Sequence, residues 1–385
     1  MPRAAKGRPY MEAKYMEQDK ISRTQLMALL WAGVMAPAAE LLPALLLPGA
    51  GRGAWLAVVL AAPLVLAAGW LMGSLAGRGG LAESITSLLG RRLGGGVLLL
   101  YMVWALLLLS LRLRLCAQRL LASGERDGAL WFFLLLLSAV LLWIGRGKLA
   151  AFARAGQLFL TALLVTAAVV LGLSLFQARP ERLFPLWLSR AGPVFRAALA
   201  AAGVMGWGLF LPFLLGSVRD QGEKKHWHWL FWGLGGALLL SAAQAVILSS
   251  LGAELAARLD NPFFALAKSV GVEGAFQRVE GVVTALWSFA DLSMAGVLVF
   301  AVQAIAAQLP LKRVLPWVPW CAVLLGAAGA LALFPALGTA EAWNRRLVPL
   351  GNLILGFLLP ALLWMGGKVL TGRKKKGISC REKAA

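Results

Sequence analysis

The chain is short of charge, of acid, of cysteine and of histidine. Only 14% of its 385 residues are charged while 60% are apolar, about half the charge of a soluble domain, which excludes a water-soluble enzyme. Asp and Glu number 17 against 38 Lys and Arg. That excess would suggest nucleic acid in a soluble protein, but here the basic residues lie between and beyond long apolar runs, where they orient membrane spans. No nucleic-acid partner is implied. The three cysteines, Cys116, Cys321 and Cys380, stand apart with no CxxC, which excludes a disulfide framework and a metal knuckle. The two histidines, His226 and His228, flank Trp227 just after Lys224 and Lys225, and a solvated loop segment explains them better than a two-ligand metal site. No HExxH, GxSxG or phosphate-binding GxxxxGK[ST] occurs, so no catalytic residue, metal or cofactor is assigned and an enzyme is not expected.

What is present is a series of uncharged apolar runs, each long enough to cross a hydrocarbon core of about 30 Å. They predict an all-α polytopic membrane protein with ten spans, near residues 25–47, 54–73, 94–111, 128–145, 155–176, 194–218, 229–251, 278–308, 315–335 and 347–366. The expected organisation is a basic N-terminal segment (1–24), a first set of five helices (25–176), an outer loop with a second set of five (177–366) and a basic tail (367–385). Arg3, Lys6, Arg8, Lys14, Lys20 and Arg23 precede span one, and Arg373 to Lys376 mark the tail; the positive-inside rule makes both termini cytoplasmic. The polar first 24 residues carry no small-residue cleavage site, so no cleavable signal peptide is expected. The segment 80–93 suits either an interfacial helix or a cytoplasmic helical loop, and 258–274 suits a lid or re-entrant element on the outer side.

Two spans carry helix breakers. In span one, Pro37 lacks an amide hydrogen and crowds the carbonyl of Gly33, which predicts a kink or break over 33–37. In span six, Gly203, Gly206 and Gly208 cluster before Pro212, the same device. Freed backbone groups inside a membrane need protein or a wet cavity to satisfy them, so paired breaks hint at a solute site near the midplane; packing or kinking alone would also explain them. Glu40 in span one and Asp291 in span eight are intramembrane carboxylates, each costly unless protonated, paired or facing water. Glu280, Thr284, Trp287, Ser288 and Asp291 share one face of span eight, a stripe expected to turn inward. Asn352, Gln244, Gln157 and Tyr101 are single polar groups for which interhelical hydrogen bonding is expected.

The order and spacing of several pieces resemble the spore germination permeases, the integral B subunits of germinant receptors in the amino acid, polyamine and organocation transporter superfamily. The pieces are Ile21-Ser22 with Gln25, the segment Ala36 to Pro43, Gly90-Arg91, Pro185 with Gly192-Pro193, Leu209 to Pro212, and Arg278-Val279-Glu280 followed by Trp287. The resemblance implies two inverted five-helix repeats of the leucine-transporter-like kind, with helices 1 and 6 unwound around a small-solute site. It implies a germinant ligand, typically a free amino acid, held by backbone around Gly33, Met35, Ala36 and Pro37 and around Gly203, Val204, Met205, Gly206 and Trp207. Tyr101, Trp287, Asp291 and Ser293 are the candidate side chains, with Pro212, Arg278 and Glu280 as structural residues. Similar proteins often carry an acidic residue in mid-span six; here Gly206, Trp207 and Gly208 occupy that stretch, which weakens the expectation of ammonium recognition there. The implied partners are a larger membrane A subunit and a lipoprotein C subunit in the spore inner membrane. A proton- or ion-coupled amino acid transporter, with Glu40 or Asp291 titrating, is the alternative expectation.

Overall fold

The computed structural model describes residues 20–76, 79–123, 129–184, 191–219, 225–259, 261–269, 279–310 and 314–368, without the side chains of Ala36, Ser123, 225–228, 279–282 and Thr284. Arg278, residues 1–19 and residues 369–385 lie outside the described residues. The chain is an all-α polytopic membrane protein. Eight helical stretches among the described residues are long and apolar enough to cross a membrane. Pro37–Leu75 takes in parts of two successive helices, Leu337–Lys368 takes in two short ones, and Leu130–Arg146 adds a shorter apolar helix.

The helices are α1 (Arg23–Ala50), α2 (Ala54–Leu75), α3 (Leu81–Ser123), α4 (Leu130–Arg146), α5 (Leu149–Ser174), α6 (Ala191–Met205), α7 (Lys225–Leu251), α8 (Ala253–Arg258), α9 (Pro262–Ser269), α10 (Val279–Gln308), α11 (Val318–Ala332), α12 (Leu337–Ala342) and α13 (Val348–Leu353). A 3₁₀ stretch, Gly206–Ser217, continues α6, and π-turns Trp343–Leu347 and Ile354–Leu358 flank α13. Helix α1 starts at a capping box: Gln25 N donates to Ser22 Oγ (3.1 Å) and Ser22 N to Gln25 Oε1 (2.9 Å), satisfying two amides that a helix start leaves open. Just before it, Ile21 N donates to Ser217 O and Arg219 N to Ile21 O, each at 2.9 Å, pinning the start of α1 to the end of the 3₁₀ stretch.

Of the kink or break expected over 33–37, a break is absent: α1 is helical from Arg23 to Ala50 with Pro37, Pro43 and Pro48 inside it. Each proline removes one donor, but packing against α5, α6 and α10 holds the helix together. Gly33 serves close approach, since a Cβ there would lie 3.0 Å from Met294 Cβ on α10. Span six does change at the expected place, passing from α to 3₁₀ geometry at Gly206 and holding it for 12 residues, far beyond the usual single turn. Span three runs on to Ser123 instead of ending at 111, and its first turns form a separate amphipathic helix, because Gly90 (φ 75°, ψ 175°) interrupts the helical backbone. Span ten begins at Leu337, ten residues earlier than expected.

Two stretches are enclosed by the others. In Ala285–Gln308, 78% of the spanning window is buried, and in Ala191–Ser217, 72%; the remaining windows are at 50% or below. Helix α10 packs along α3 and α1, α2 against α7 and α6, α1 against α5 and α6, α11 against α3, and α13 against α6. Outer faces stay apolar, as at Trp70, Trp131, Leu158 and Phe231, which suits hydrocarbon.

Candidate functional site

Helix α3 carries Arg112, Cys116 and Arg119 on one face, at i, i+4 and i+7. That face meets Asp291 of α10 and Glu40 of α1. Arg112 Nη1 donates to Asp291 Oδ1 at 3.4 Å, Arg119 Nη1 donates to Asp291 Oδ2, and Arg119 Nη2 donates to Glu40 Oε2 at 2.5 Å. Arg112 and Asp291 are each 2% exposed, whereas Glu40 is 32% exposed. The cluster joins three helices and is neutral in sum. Arg112 also lies over the Trp207 ring, 4.0 Å from its centroid, so the 3₁₀ stretch supplies a π-face that lowers the cost of burying a guanidinium.

Above the cluster is a pocket of about 330 Å³, lined by Pro37, Glu40, Arg112, Gln118, Arg119 and Trp287, by Asn261, Phe264 and Lys268 of and beside α9, and by Leu337, Glu341, Asn344 and Arg345 of span ten. Helix α9 falls in the segment expected as a lid. Asn261 Oδ1 accepts from Phe264 N (3.1 Å) at its start, and Phe263 and Leu266 are buried below it. The rim carries Lys268 and Arg345 against Glu341, with Arg345 Nη2 3.6 Å from Glu341 Oε2. The residues forming π-turn Trp343–Leu347 include Asn344 and Arg345, and such turns recur where a helix must aim side chains into a site.

The anticipated site residues do not all gather there. Pro37, Glu40, Trp287 and Asp291 belong to the pocket or its cluster, and Trp207 reaches it through Arg112. Met205 and Gly206 line a separate apolar cavity of about 170 Å³ between α1, α2, α7 and span ten. Met35 and Trp287 line a small void of about 30 Å³. Val204 and Ser293 are buried, and Ser293 Oγ has no partner. Gly203 and Gly206 serve packing against α13: a Cβ on Gly203 would stand 2.4 Å from Pro349 O, and one on Gly206 3.0 Å from Asn352 Cβ. Asn352 donates to Gly203 O (3.0 Å) and accepts from Trp104 Nε1 (3.1 Å). Pro212 lies inside the 3₁₀ stretch. The side chains of Ala36 and Glu280 fall outside the description.

Tyr101 makes the interhelical bond expected of it: it donates its hydroxyl to Leu355 O at 2.7 Å and packs edge-on against Phe213, three helical turns from Arg112, so it braces α3 on π-turn Ile354–Leu358. Tyr101→Phe is expected to lower stability by about 1 kcal/mol and leave ligand response unchanged, measured by thermal unfolding in detergent alongside a dose response. Gln244 is fully buried with neither amide atom partnered, contrary to the interhelical bond expected for it. The residues that sequence reasoning missed are Arg112 and Arg119, taken as lying past the end of span three; the unbroken apolar spacing through Leu121 was the available signal.

Compared with known proteins, residues 20–334 match a family model described as spore germination protein. No curated protein matches the chain. The matched region holds all four charged residues of the cluster, and span ten, which begins at Leu337, lies beyond it. A match of that extent settles the kinship: the chain belongs to the spore germination permease family.

Proposed function

We propose that this chain is the integral membrane subunit of a spore germinant receptor. In this reading a small nutrient, an amino acid in the first instance, enters the pocket between α1, α3, α9 and α10, and its binding shifts the population of two arrangements of the helices. Neighbouring A and C subunits in the spore inner membrane read that shift. The observation that carries the reading is the Glu40–Arg119–Asp291–Arg112 cluster at the floor of a pocket of about 330 Å³, a volume within the usual small-molecule range of about 300–1,000 Å³. Removing one member of a buried cluster costs several kcal/mol, so a ligand that competes for a member can move whole helices.

The packing supports two five-helix sets. If each span n of the first set corresponds to span n+5 of the second, then the α1–α5 contact maps onto span six with span ten, α2–α6 onto α7–α1, α3–α4 onto α10–α11, and α3–α11 onto α10–α4, and all these pairs pack. With both termini cytoplasmic, the pocket opens on the outer face, where a nutrient arrives. Proton-coupled transport is the second reading, favoured by the partly exposed Glu40; gradient-driven amino acid uptake into proteoliposomes would be its signature.

The test is dipicolinate release from spores lacking the protein, challenged with single amino acids and with a nutrient-independent trigger. Loss of response to one nutrient class, with the independent trigger intact, is the expected result. Normal release for every nutrient in a strain also stripped of sibling receptors overturns the receptor reading.

A further inference from the structure

The pocket has unused hydrogen-bond donors and few unused acceptors. Arg112 Nε and Trp287 Nε1 are buried without a partner, on side chains 2% and 5% exposed that both line the pocket. A buried donor left unpaired is costly, more so on a charged group. The buried acid is already engaged: both oxygens of Asp291 are taken by Arg112 and Arg119, and Glu40 Oε2 is taken by Arg119. The open carboxylate oxygens are Glu40 Oε1 and those of Glu341, whose Oε2 lies 3.6 Å from Arg345, both on partly exposed side chains. Asn344 Oδ1 is also unpartnered, but an amide can turn and present Nδ2 instead. The stretch Gly206–Ser217 contains no carboxylate, and α1, being unbroken, frees no run of carbonyls over 33–37.

We propose that the ligand is read through a carboxylate group seated on Arg112 Nε and Trp287 Nε1, and that an ammonium group on the ligand is dispensable. A carboxylate brings two acceptor oxygens to two idle donors, one of them charged, the stronger kind of hydrogen bond. An ammonium group would find its open carboxylate oxygens on the partly exposed Glu40 and Glu341 and would leave both buried donors unpaired. Monocarboxylates and hydroxy acids of amino acid size therefore bind, and amines of the same size do not. The inference rests on the pocket being the solute site.

The experiment is thermal unfolding of the full chain in lipid nanodiscs with millimolar L-alanine, L-lactate, propionate, L-alaninamide or ethylamine at constant ionic strength. Lactate and propionate are expected to raise the unfolding temperature with apparent affinities within about tenfold of the best carboxylate, and the two amines to have no effect. Arg112→Gln, which leaves Asp291 paired with Arg119, is expected to weaken the carboxylate effect by about tenfold or more. No shift with any carboxylate, an equal shift with the amines, or an equal shift with added chloride overturns the assignment. The wild-type panel needs no variant to fold. If spores lacking the protein lose a nutrient response while the purified chain ignores every carboxylate, the carboxylate reading fails and the receptor reading stands. If carboxylates bind but germination is normal, the receptor reading alone fails.

Discussion

Asp291→Ala lowers the stability of the protein by about 3–5 kcal/mol, the expected cost of stranding buried charge. Asp291 is the hub of the cluster, with one oxygen on Arg112 and the other on Arg119. Without it Arg112 keeps only the Trp207 face as a partner, and Arg119 keeps Glu40 alone. On a side chain 2% exposed, bulk water does not replace the lost carboxylate. The loss registers as a fall in unfolding temperature and in the folded fraction recovered from membranes. Asp291→Asn, which keeps an acceptor oxygen and the shape, sits between Ala and the parent. A parental unfolding temperature for Asp291→Ala would mean that the cluster holds no helices together.

Removing the whole cluster has the opposite consequence for stability. In the variant E40L/R112M/R119M/D291L no charge is left stranded, and buried ion clusters replaced by apolar side chains of similar volume are neutral or more stable by about 1–4 kcal/mol. Met at 112 can rest its sulfur on the Trp207 ring that the guanidinium now covers. The unfolding temperature is therefore expected at or above that of the parent, well above that of Asp291→Ala. Nutrient response is expected to vanish, because the pocket loses the groups that a ligand competes with. Stability and signalling thus separate, which a purely structural cluster would not allow.

The membrane class, the succession of long apolar helices and the inward turn of Asp291 were legible because they follow from apolar run length and helical periodicity. Gly206 was legible as the point where span six changes geometry, since three glycines and a proline within ten residues weaken an α-helix locally. Pro37 misled as to a break alone, because one missing hydrogen bond does not unwind a helix that neighbours enclose, and α1 is enclosed on several sides. Arg112 and Arg119 were missed because arginines ending an apolar run, here Arg112, Arg114 and Arg119 within eight residues, read as a span boundary. Only their pairing with residues more than 70 positions away in sequence makes burial affordable, and that pairing is tertiary. Gly203 shows the same limit, since its role is set by Pro349 O on a helix far away in sequence. The pocket wall from span ten was hidden as well, because Leu337–Leu347 reads as a polar connection until the π-turn brings Asn344 and Arg345 round to the cavity.

The most direct measurement is the nutrient dose response of dipicolinate release from spores carrying E40L/R112M/R119M/D291L, with the chain quantified in the spore inner membrane. The account predicts parental abundance, a normal response to a nutrient-independent trigger and no response to the nutrient that the parent senses. A parental dose response from spores containing the variant would contradict the assignment of this cluster as the ligand-reading site.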